Sequence, residues 1–378
     1  MSDTDYSIPF NRPYLTGLEQ QNIDAVMVSG KLSGDGPFTH QCQDWLRQHS
    51  GAHSLLVHSC TAALEMMALV LDLGPGDEVL LPSYTFVSTA SAFALRGVKL
   101  RYVDIREDTF NIDESRIEAA ITPATRAICV VHYAGVGCAM DEIMAIAKRH
   151  GLWVCEDAAQ GLMASYRGRP LGSFGHLGAF SFHETKNIVS GEGGALLVND
   201  SAFSAAAEIC RDKGTDRSQF LRGEVDKYSW QALGSSYLPG ELIAAFLAAQ
   251  LQAAADITHR RRVVWDTYHE QLAGLEAAGK LRRPVVPAEC EHNAHMYAVL
   301  LDPDCDRQAL IQYLRDAGVQ AASHYVPLHQ SAFAGRVSSA ASLPVTEALA
   351  PRLLRLPLWP GMDAQQVSYV VEALGRRL

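Results

Sequence analysis

The sequence lacks the features that mark several large classes of protein. No apolar run approaches the roughly 20 residues a helix needs to cross a bilayer. Residues 1–8 have neither the basic start nor the apolar stretch of a secretion signal, so a cytoplasmic location is expected. There is no Cys-x-x-Cys pair; Cys42, Cys60, Cys129, Cys138, Cys155, Cys210, Cys290 and Cys305 are scattered, several inside apolar runs such as Ala127–Val131. That scatter suits reduced, buried thiols better than a disulfide framework or a zinc site. The histidines show no His-Glu-x-x-His or other ligand spacing, and no metal site is expected. Positive charge is scarce too: 32 Lys and Arg stand against 42 Asp and Glu, a net charge of −10. A nucleic acid or an anionic membrane would want a basic face, so neither is expected as a partner. The densest basic run, Arg260–Arg262, reads as a solvated helix face. Internal repeats, low-complexity tracts and charged linkers are also missing.

What is present is enough for a sizeable core. The 378 residues are 48% hydrophobic, a length that favours one large and one smaller domain. From about residue 52 to 200, short apolar strands alternate with amphipathic helices. The strands are Ser54–His58, Glu78–Leu81, Lys99–Val103, Ala127–His132 and Trp153–Glu156. Between them fall helices Thr61–Leu73, Val87–Leu95, Glu114–Ile121 and Met140–His150. Strands Ala179–His183 and Gly194–Val198 then follow with no long helix between them. Such alternation implies an α/β fold with a mainly parallel sheet covered on both faces. Active residues in such folds gather at the carboxyl ends of the strands.

Beyond residue 200 the pattern turns helical, with Glu241–His269 read as one long helix. After Pro284–Pro287 come strand Tyr297–Leu301, helix Arg307–Ala317, strand Val319–Tyr325 and a last helix, Ala364–Arg377. The division expected is a large domain over 1–255 and a smaller C-terminal α/β domain over 256–378.

Four strand-end corners carry chemistry. Lys186 stands just past an apolar strand in Phe180-Ser181-Phe182-His183-Glu184-Thr185-Lys186-Asn187, followed by Gly191-Glu192-Gly193-Gly194; it reads as a nucleophile or as an ordinary surface lysine. Asp157, in Glu156-Asp157-Ala158-Ala159-Gln160, suits a salt bridge to a protonated ring nitrogen or a helix N-cap. At His58-Ser59-Cys60-Thr61 a strand meets a helix start, where free N–H groups and the helix dipole favour an anion; plain N-capping is the competing account. Phe86, in Pro82 to Thr89, reads as a ring stacked on a flat cofactor or as core. Together these corners supply a lysine, a carboxylate, a phosphate nest and a stacking ring, the groups a pyridoxal phosphate site requires. The four are expected on consecutive strands of one sheet.

With these residues in hand, the sequence resembles the DegT/DnrJ/EryC-type sugar aminotransferases, which are fold-type-I pyridoxal-phosphate-dependent transferases. The likeness runs over essentially the whole chain. It includes Ile8-Pro9-Phe10-Asn11, Ser29-Gly30-Lys31-Leu32, Gly34-Asp35-Gly36, His132 to Val136, Glu156 to Gly161, Ser181 to Asn187, Val225-Asp226-Lys227-Tyr228 and Asn293-Ala294-His295-Met296. Within the family it is similar to the transaminases that form dTDP-4-amino-4,6-dideoxygalactose.

The resemblance implies that Lys186 carries pyridoxal 5′-phosphate as a Schiff base, Asp157 holds the ring nitrogen and Gln160 the ring hydroxyl. Phe86 would stack on the ring, while Cys60, Thr61 and Ser181 would hold the phosphate. Strand alternation puts His183 on the side of Ser181, which makes it a candidate substrate contact. Tyr325-Val326-Pro327-Leu328-His329 implies a substrate role for Tyr325 or His329. Where many relatives have Gly-x-Asn, this chain has Gly234-Ser235-Ser236, so Ser236 takes the place of an asparagine that reaches the neighbouring subunit's cofactor phosphate.

The expected reaction is transamination of a nucleotide-linked keto-sugar, dTDP-4-keto-6-deoxy-D-glucose, with L-glutamate as donor, in a homodimer or larger homo-oligomer. A 3-amino or other nucleotide-sugar transamination stays open, as does a fold-type-I amino-acid aminotransferase or aldolase. So does a non-catalytic sensor that has kept the fold. A nicotinamide dehydrogenase does not fit, because Gly191–Gly194 precedes a strand where a dinucleotide fingerprint follows one.

Overall fold

In the computed structural model, which describes residues 7–339 and 342–378, the apolar runs of the first two hundred residues become strands. These are β1 (His53–Val57), β2 (Glu78–Pro82), β3 (Lys99–Val103), β4 (Thr125–Val131) and β5 (Trp153–Asp157). Two-residue strands β6 (Ser165–Tyr166) and β7 (Arg169–Pro170) follow, then β8 (Leu177–Ser181) and β9 (Gly194–Val198). Seven of them form one sheet in the order β1-β9-β8-β5-β4-β2-β3. Only β9 runs against its neighbours. The carboxyl ends of the other six therefore share one edge, and the amino end of β9 joins them there.

Both faces of this sheet are covered, which is why its strands read as continuous apolar runs. Leu55, Ala179 and Leu196 pack with Leu64 and Met67 of helix Cys60–Val70 on one side. Their neighbours Leu56, Phe180 and Leu197 pack on the other, with Leu46 of helix Pro37–Ser50 and Leu247 of helix Glu241–Gln252. The four chemical corners do not follow consecutive strands of the sheet. β9 separates β1 from β8 and β4 separates β5 from β2, because chain order and sheet order differ.

The rest of the chain adds β10 (Leu281–Arg282), β11 (Cys290–Glu291), β12 (Tyr297–Leu301), β13 (Ala322–Ser323) and β14 (Leu353–Leu356). An antiparallel sheet β10-β12-β14-β13 is packed by helices Ala254–Gln271 and Ala364–Arg377. β11 pairs with β6, which pairs with β7.

Three expectations are corrected here. The long helix breaks at Ala253 (φ −94, ψ 6), giving Glu241–Gln252 and Ala254–Gln271. Its first half feeds the large core through Ala244, Leu247 and Leu251, and its second feeds the small one through Val264, Trp265 and Tyr268. Two cores require two axes. We propose this break as the place where the large domain, 1–255, gives way to the smaller, 256–378. The strand expected over Val319–Tyr325 shrinks to Ala322–Ser323, because only those residues face β14, and the chain then turns toward the sheet edge. The basic run is not a solvated face. Arg260 is exposed and paired with Asp256, but Arg261 is buried and donates to the carbonyls of Ala294 and His295, and Arg262 donates to that of His292. Helices Glu19–Ser29 and Pro37–Ser50 lie ahead of the stretch in which elements were assigned from sequence.

Candidate active site

A cavity of about 510 Å³ opens at the edge where the carboxyl ends of the strands meet. After β1 the chain enters helix Cys60–Val70 with Ser59 as N-cap, its Oγ accepting from the Ala62 N–H over 3.0 Å. That cap leaves the N–H groups of Cys60 and Thr61 free at the helix start, as the first residues of any helix are. Gly194, opening β9, crosses so close that a Cβ there would lie 2.4 Å from the Cys60 nitrogen. Glycine is therefore what lets β9 reach the corner. Thr61 donates its hydroxyl to Ser88 over 2.8 Å, tying the corner after β1 to the corner after β2. Burial pushes the Cys60 thiol well above its ordinary pKa, so it stays an uncharged neighbour.

Asp157, the last residue of β5, is buried with one oxygen accepting from Thr89 (2.7 Å) and the other from the Ala159 N–H (3.1 Å). Thr85 lies 2.8 Å from Thr89 and, since Thr89 gives its proton to the carboxylate, is the donor of that pair. No Lys, Arg or His nitrogen lies within salt-bridge distance of Asp157 among the described residues. Three residues on, Gln160 accepts from the Ala134 N–H (2.7 Å) and donates to the Tyr325 hydroxyl (3.2 Å). The preceding Glu156 faces away from the cavity. His132 (2.8 Å) and the N–H groups of Gly172, Phe174 and Gly175 all donate to it, which pins the end of β5 in place.

Ser181 ends β8, and the chain turns through His183 so that the Lys186 N–H donates to the His183 carbonyl over 2.8 Å. The amine of Lys186 points into the cavity without a carboxylate partner among the described residues. Burial holds its pKa below the ordinary lysine range; Cys60 and Asp157 oppose that shift, and Arg355 adds to it.

Cys60, Thr61, Phe86, Asp157, Gln160, Ser181, His183, Lys186 and Tyr325 all line this one cavity. Phe86 is 56% exposed, with its ring 6.3 Å from that of Tyr325. It is therefore not core. His183 reaches the cavity from the turn after β8, not by strand alternation, since the strand has ended at Ser181. Two expected residues lie elsewhere. Ser236 is exposed beside Asp212, away from the lining of its own chain's cavity. His329 does not line the cavity either. Its Nδ1 is 2.7 Å from the buried Ser83 hydroxyl and its Nε2 3.1 Å from Glu347, so it clamps the corner after β2 to the C-terminal segment.

The structure adds lining residues that the sequence reading did not assign: Arg355, His324 and His295. Arg355 comes from β14, a four-residue strand between Pro351 and Pro357 that gave no strand signal. Its Nη1 is 2.6 Å from His324 Nε2, its Cζ is 4.6 Å from the centre of the Phe10 ring, and its Nε is buried without a partner. Among the described residues it has no acidic partner. The ring of His324 stacks on Tyr325 and stays neutral: burial, then Arg355, push it down to about 2.

The polar layout fits pyridoxal phosphate. A carboxylate without a cation and an amine without an anion face one cavity, and free N–H groups at a helix start and the Ser181 hydroxyl line its rim. A planar ring with a protonated nitrogen, a carbon open to an amine and an anionic tail would complete each of these groups.

Fold and cavity together define an α/β enzyme of the fold-type-I pyridoxal-phosphate-dependent transferases. The chain belongs to the DegT/DnrJ/EryC1/StrS aminotransferase family, whose profile matches residues 13–375. It is 33% identical to the spore coat polysaccharide biosynthesis protein SpsC of Bacillus subtilis (strain 168), over 98% of this chain and 97% of that one. Among solved structures it is similar to S. venezuelae DesV in complex with a ketimine intermediate, at 30% identity and TM-score 0.89, covering 98% of both chains. It is also similar to Spr1654 of Streptococcus pneumoniae in its PLP form, at 25% identity and TM-score 0.90, over 99% of this chain and 100% of that one.

Proposed function

We propose that this aminotransferase moves the amino group of L-glutamate to a nucleotide-linked keto-sugar, dTDP-4-keto-6-deoxy-D-glucose, giving a 4-amino-4,6-dideoxy sugar. The observation that carries the chemistry is the pairing across one cavity of Lys186, an amine without an acid partner, with Asp157, a fixed carboxylate without a base partner. The sugar class is supported by membership of the family and by SpsC, which is named for polysaccharide biosynthesis.

Pyridoxal phosphate is the cofactor, and when bound it supplies an electron sink for the carbon that loses or gains a proton. Lys186 would hold it covalently and, with its amine free, would move that proton as general base and then acid. Its depressed pKa helps, because an amine nearer neutrality gives and takes protons more readily. Asp157, aimed by Thr89 and the Ala159 N–H, keeps the ring nitrogen protonated. Gln160 holds the ring hydroxyl and Phe86 covers one face. The Cys60 and Thr61 N–H groups, the Thr61 hydroxyl and Ser181 take the phosphate, with Ser236 of a second copy reaching the same group.

Arg355 is assigned to the donor. A guanidinium buried without an acid is costly unless a ligand anion meets it, and a carboxylate matches its forked N–H groups. Tyr325 and His183 then face the sugar. A second copy of the chain is expected against residues 212–238, where Trp230, Leu221 and Leu233 are 77%, 62% and 58% exposed.

A single-turnover experiment tests the reading. The enzyme is loaded with glutamate, freed of donor, given dTDP-4-keto-6-deoxyglucose, and the product is read by NMR. A 4-amino sugar is expected, and its coupling constants tell axial from equatorial. If glutamate converts the cofactor but the ketone stays unreacted, this sugar is wrong.

A further inference from the structure

Lys186 has a neighbour whose hydrogen-bonding state the structure determines. Asn187, next in the chain, donates its Nδ2 to the Asn293 carbonyl over 2.8 Å, which fixes the orientation of its amide. Its Oδ1 is then the atom that lies 3.0 Å from Nδ1 of His295. An amide oxygen only accepts, so Nδ1 carries the proton. Burial keeps the imidazole neutral, and Lys186, Arg261, Arg355 and His324 around it push the same way. Nε2 is therefore a bare lone pair. It has no partner among the described residues, yet the ring lines the cavity that Lys186 also lines.

The ring is also held rigidly. The His295 N–H donates to Asn293 Oδ1 (3.0 Å), and its carbonyl accepts from buried Arg261 (2.8 Å). Asn293 in turn donates to the carbonyls of Gln160 and Leu162 (2.8 and 2.7 Å). A histidine serving only as packing would have both nitrogens satisfied by the fold. Here six hydrogen bonds, five of them made through Asn293 and Asn187, serve to hold one nitrogen open toward the cavity.

We propose that His295 Nε2 accepts an N–H from the Lys186 amine whenever that amine is free, so that His295 is a positioning residue for proton transfer. This rests on the reading of Lys186 as the cofactor-bearing amine. A free lysine side chain has several rotatable bonds, and a neutral, immobile acceptor holds its nitrogen in place and turns the lone pair toward the substrate carbon. The acceptor takes up no proton itself. The charge balance of the site stays that of Lys186, Asp157 and Arg355.

Two near-isosteres separate the nitrogens. His295→Asn puts an amide N–H where Nδ1 was, keeping the link to Asn187 while deleting the acceptor at Nε2. His295→Gln does the reverse. In the full-length apoprotein, the rate of reductive methylation of Lys186 is followed by mass spectrometry at pH 6. An acceptor favours the ammonium form, so H295N is expected to label about tenfold faster, one pKa unit, and H295Q within about twofold of wild type. In the cofactor-loaded enzyme, H295N is expected to lose roughly 100-fold in kcat with little change in KM for either substrate. Labelling of folded H295N at the wild-type rate overturns the proposal. So does H295Q behaving as H295N, since the link to Asn187 would then be what matters. If the wild-type enzyme aminates no keto-sugar, the functional reading fails, while the labelling comparison still decides the role of His295.

Discussion

Thr89 donates its hydroxyl proton to Oδ2 of Asp157 over 2.7 Å, so the carboxylate that ends β5 is aimed by a residue from the corner after β2. The helix holding Thr89 starts beside Phe86, the ring that covers the cavity. One corner thus sets both the acid and the aromatic wall.

Replacing Thr89 with Val keeps the shape and removes the donor. Asp157 keeps only the Ala159 N–H, and the Thr85 hydroxyl loses its acceptor. A lost bond to a charged group costs about 1.5–3 kcal/mol, so cofactor affinity is expected to fall at least tenfold. A spectrophotometric titration of the apoprotein with pyridoxal phosphate checks this; unchanged affinity would show that Asp157 needs no outside support.

Arg355→Gln is expected to raise KM for glutamate about 100-fold in the donor half-reaction, followed by the cofactor absorbance. Cofactor conversion by a simple alkylamine, which has no carboxylate, should be unaffected. Arg355→Lys should recover only part of the loss, because an ammonium lacks the planar fork. An equal loss with both amines would place Arg355 in support of the site and not in recognition.

His329 bridges Ser83 and Glu347, so His329→Ala is expected to act on stability. The Ser83 hydroxyl, fully buried, would still accept from the backbone N–H of residue 329 but would lose the imidazole that takes its proton, at a cost of about 1–3 kcal/mol. Urea unfolding should show that loss, with KM for both substrates within about threefold of wild type. A large rise in KM for the sugar without loss of stability would make His329 a substrate contact after all.

Stability should fall as pH drops below the imidazole range. Burial, aided by nearby Arg262, holds His292 at about 4; burial with Arg355 holds His324 at about 2, and burial with Lys186 holds His295 well below its usual value. In the unfolded chain each titrates near 6.5. Between these values the unfolded state binds protons that the folded state does not. Their contribution is complete above about pH 6.5 and is lost by about 1.4 kcal/mol per histidine per pH unit on acidification. The slope of unfolding free energy between pH 5 and 6 should show uptake of at least two protons. A flat slope would mean these rings are already charged in the fold.

Much of the large sheet was legible because strands buried on both faces appear as consecutive apolar residues, and Lys186 and Asp157 stand where such strands end. The insertion of β9 between β1 and β8 was not legible, since the same apolar run serves a parallel or an antiparallel strand. Arg261 looked like its exposed neighbour Arg260, because local charge does not tell which side of a helix meets buried carbonyls. Arg355 was hidden in a strand of four residues between two prolines.

By itself the sequence determined the alternating strands and helices, the corners at their ends and the chemical groups placed there. These follow from local periodicity, turn residues and the few side chains able to act as nucleophile, acid or cap. Only the tertiary structure decided which of those groups meet: Thr89 with Asp157, Gln160 with Tyr325, Asn187 with His295, and Arg355 in the cavity where His329 had been expected. Their partners are 68, 165 and 108 residues apart for the three pairs. Such contacts depend on strand order and on how two cores pack, and no local pattern encodes either.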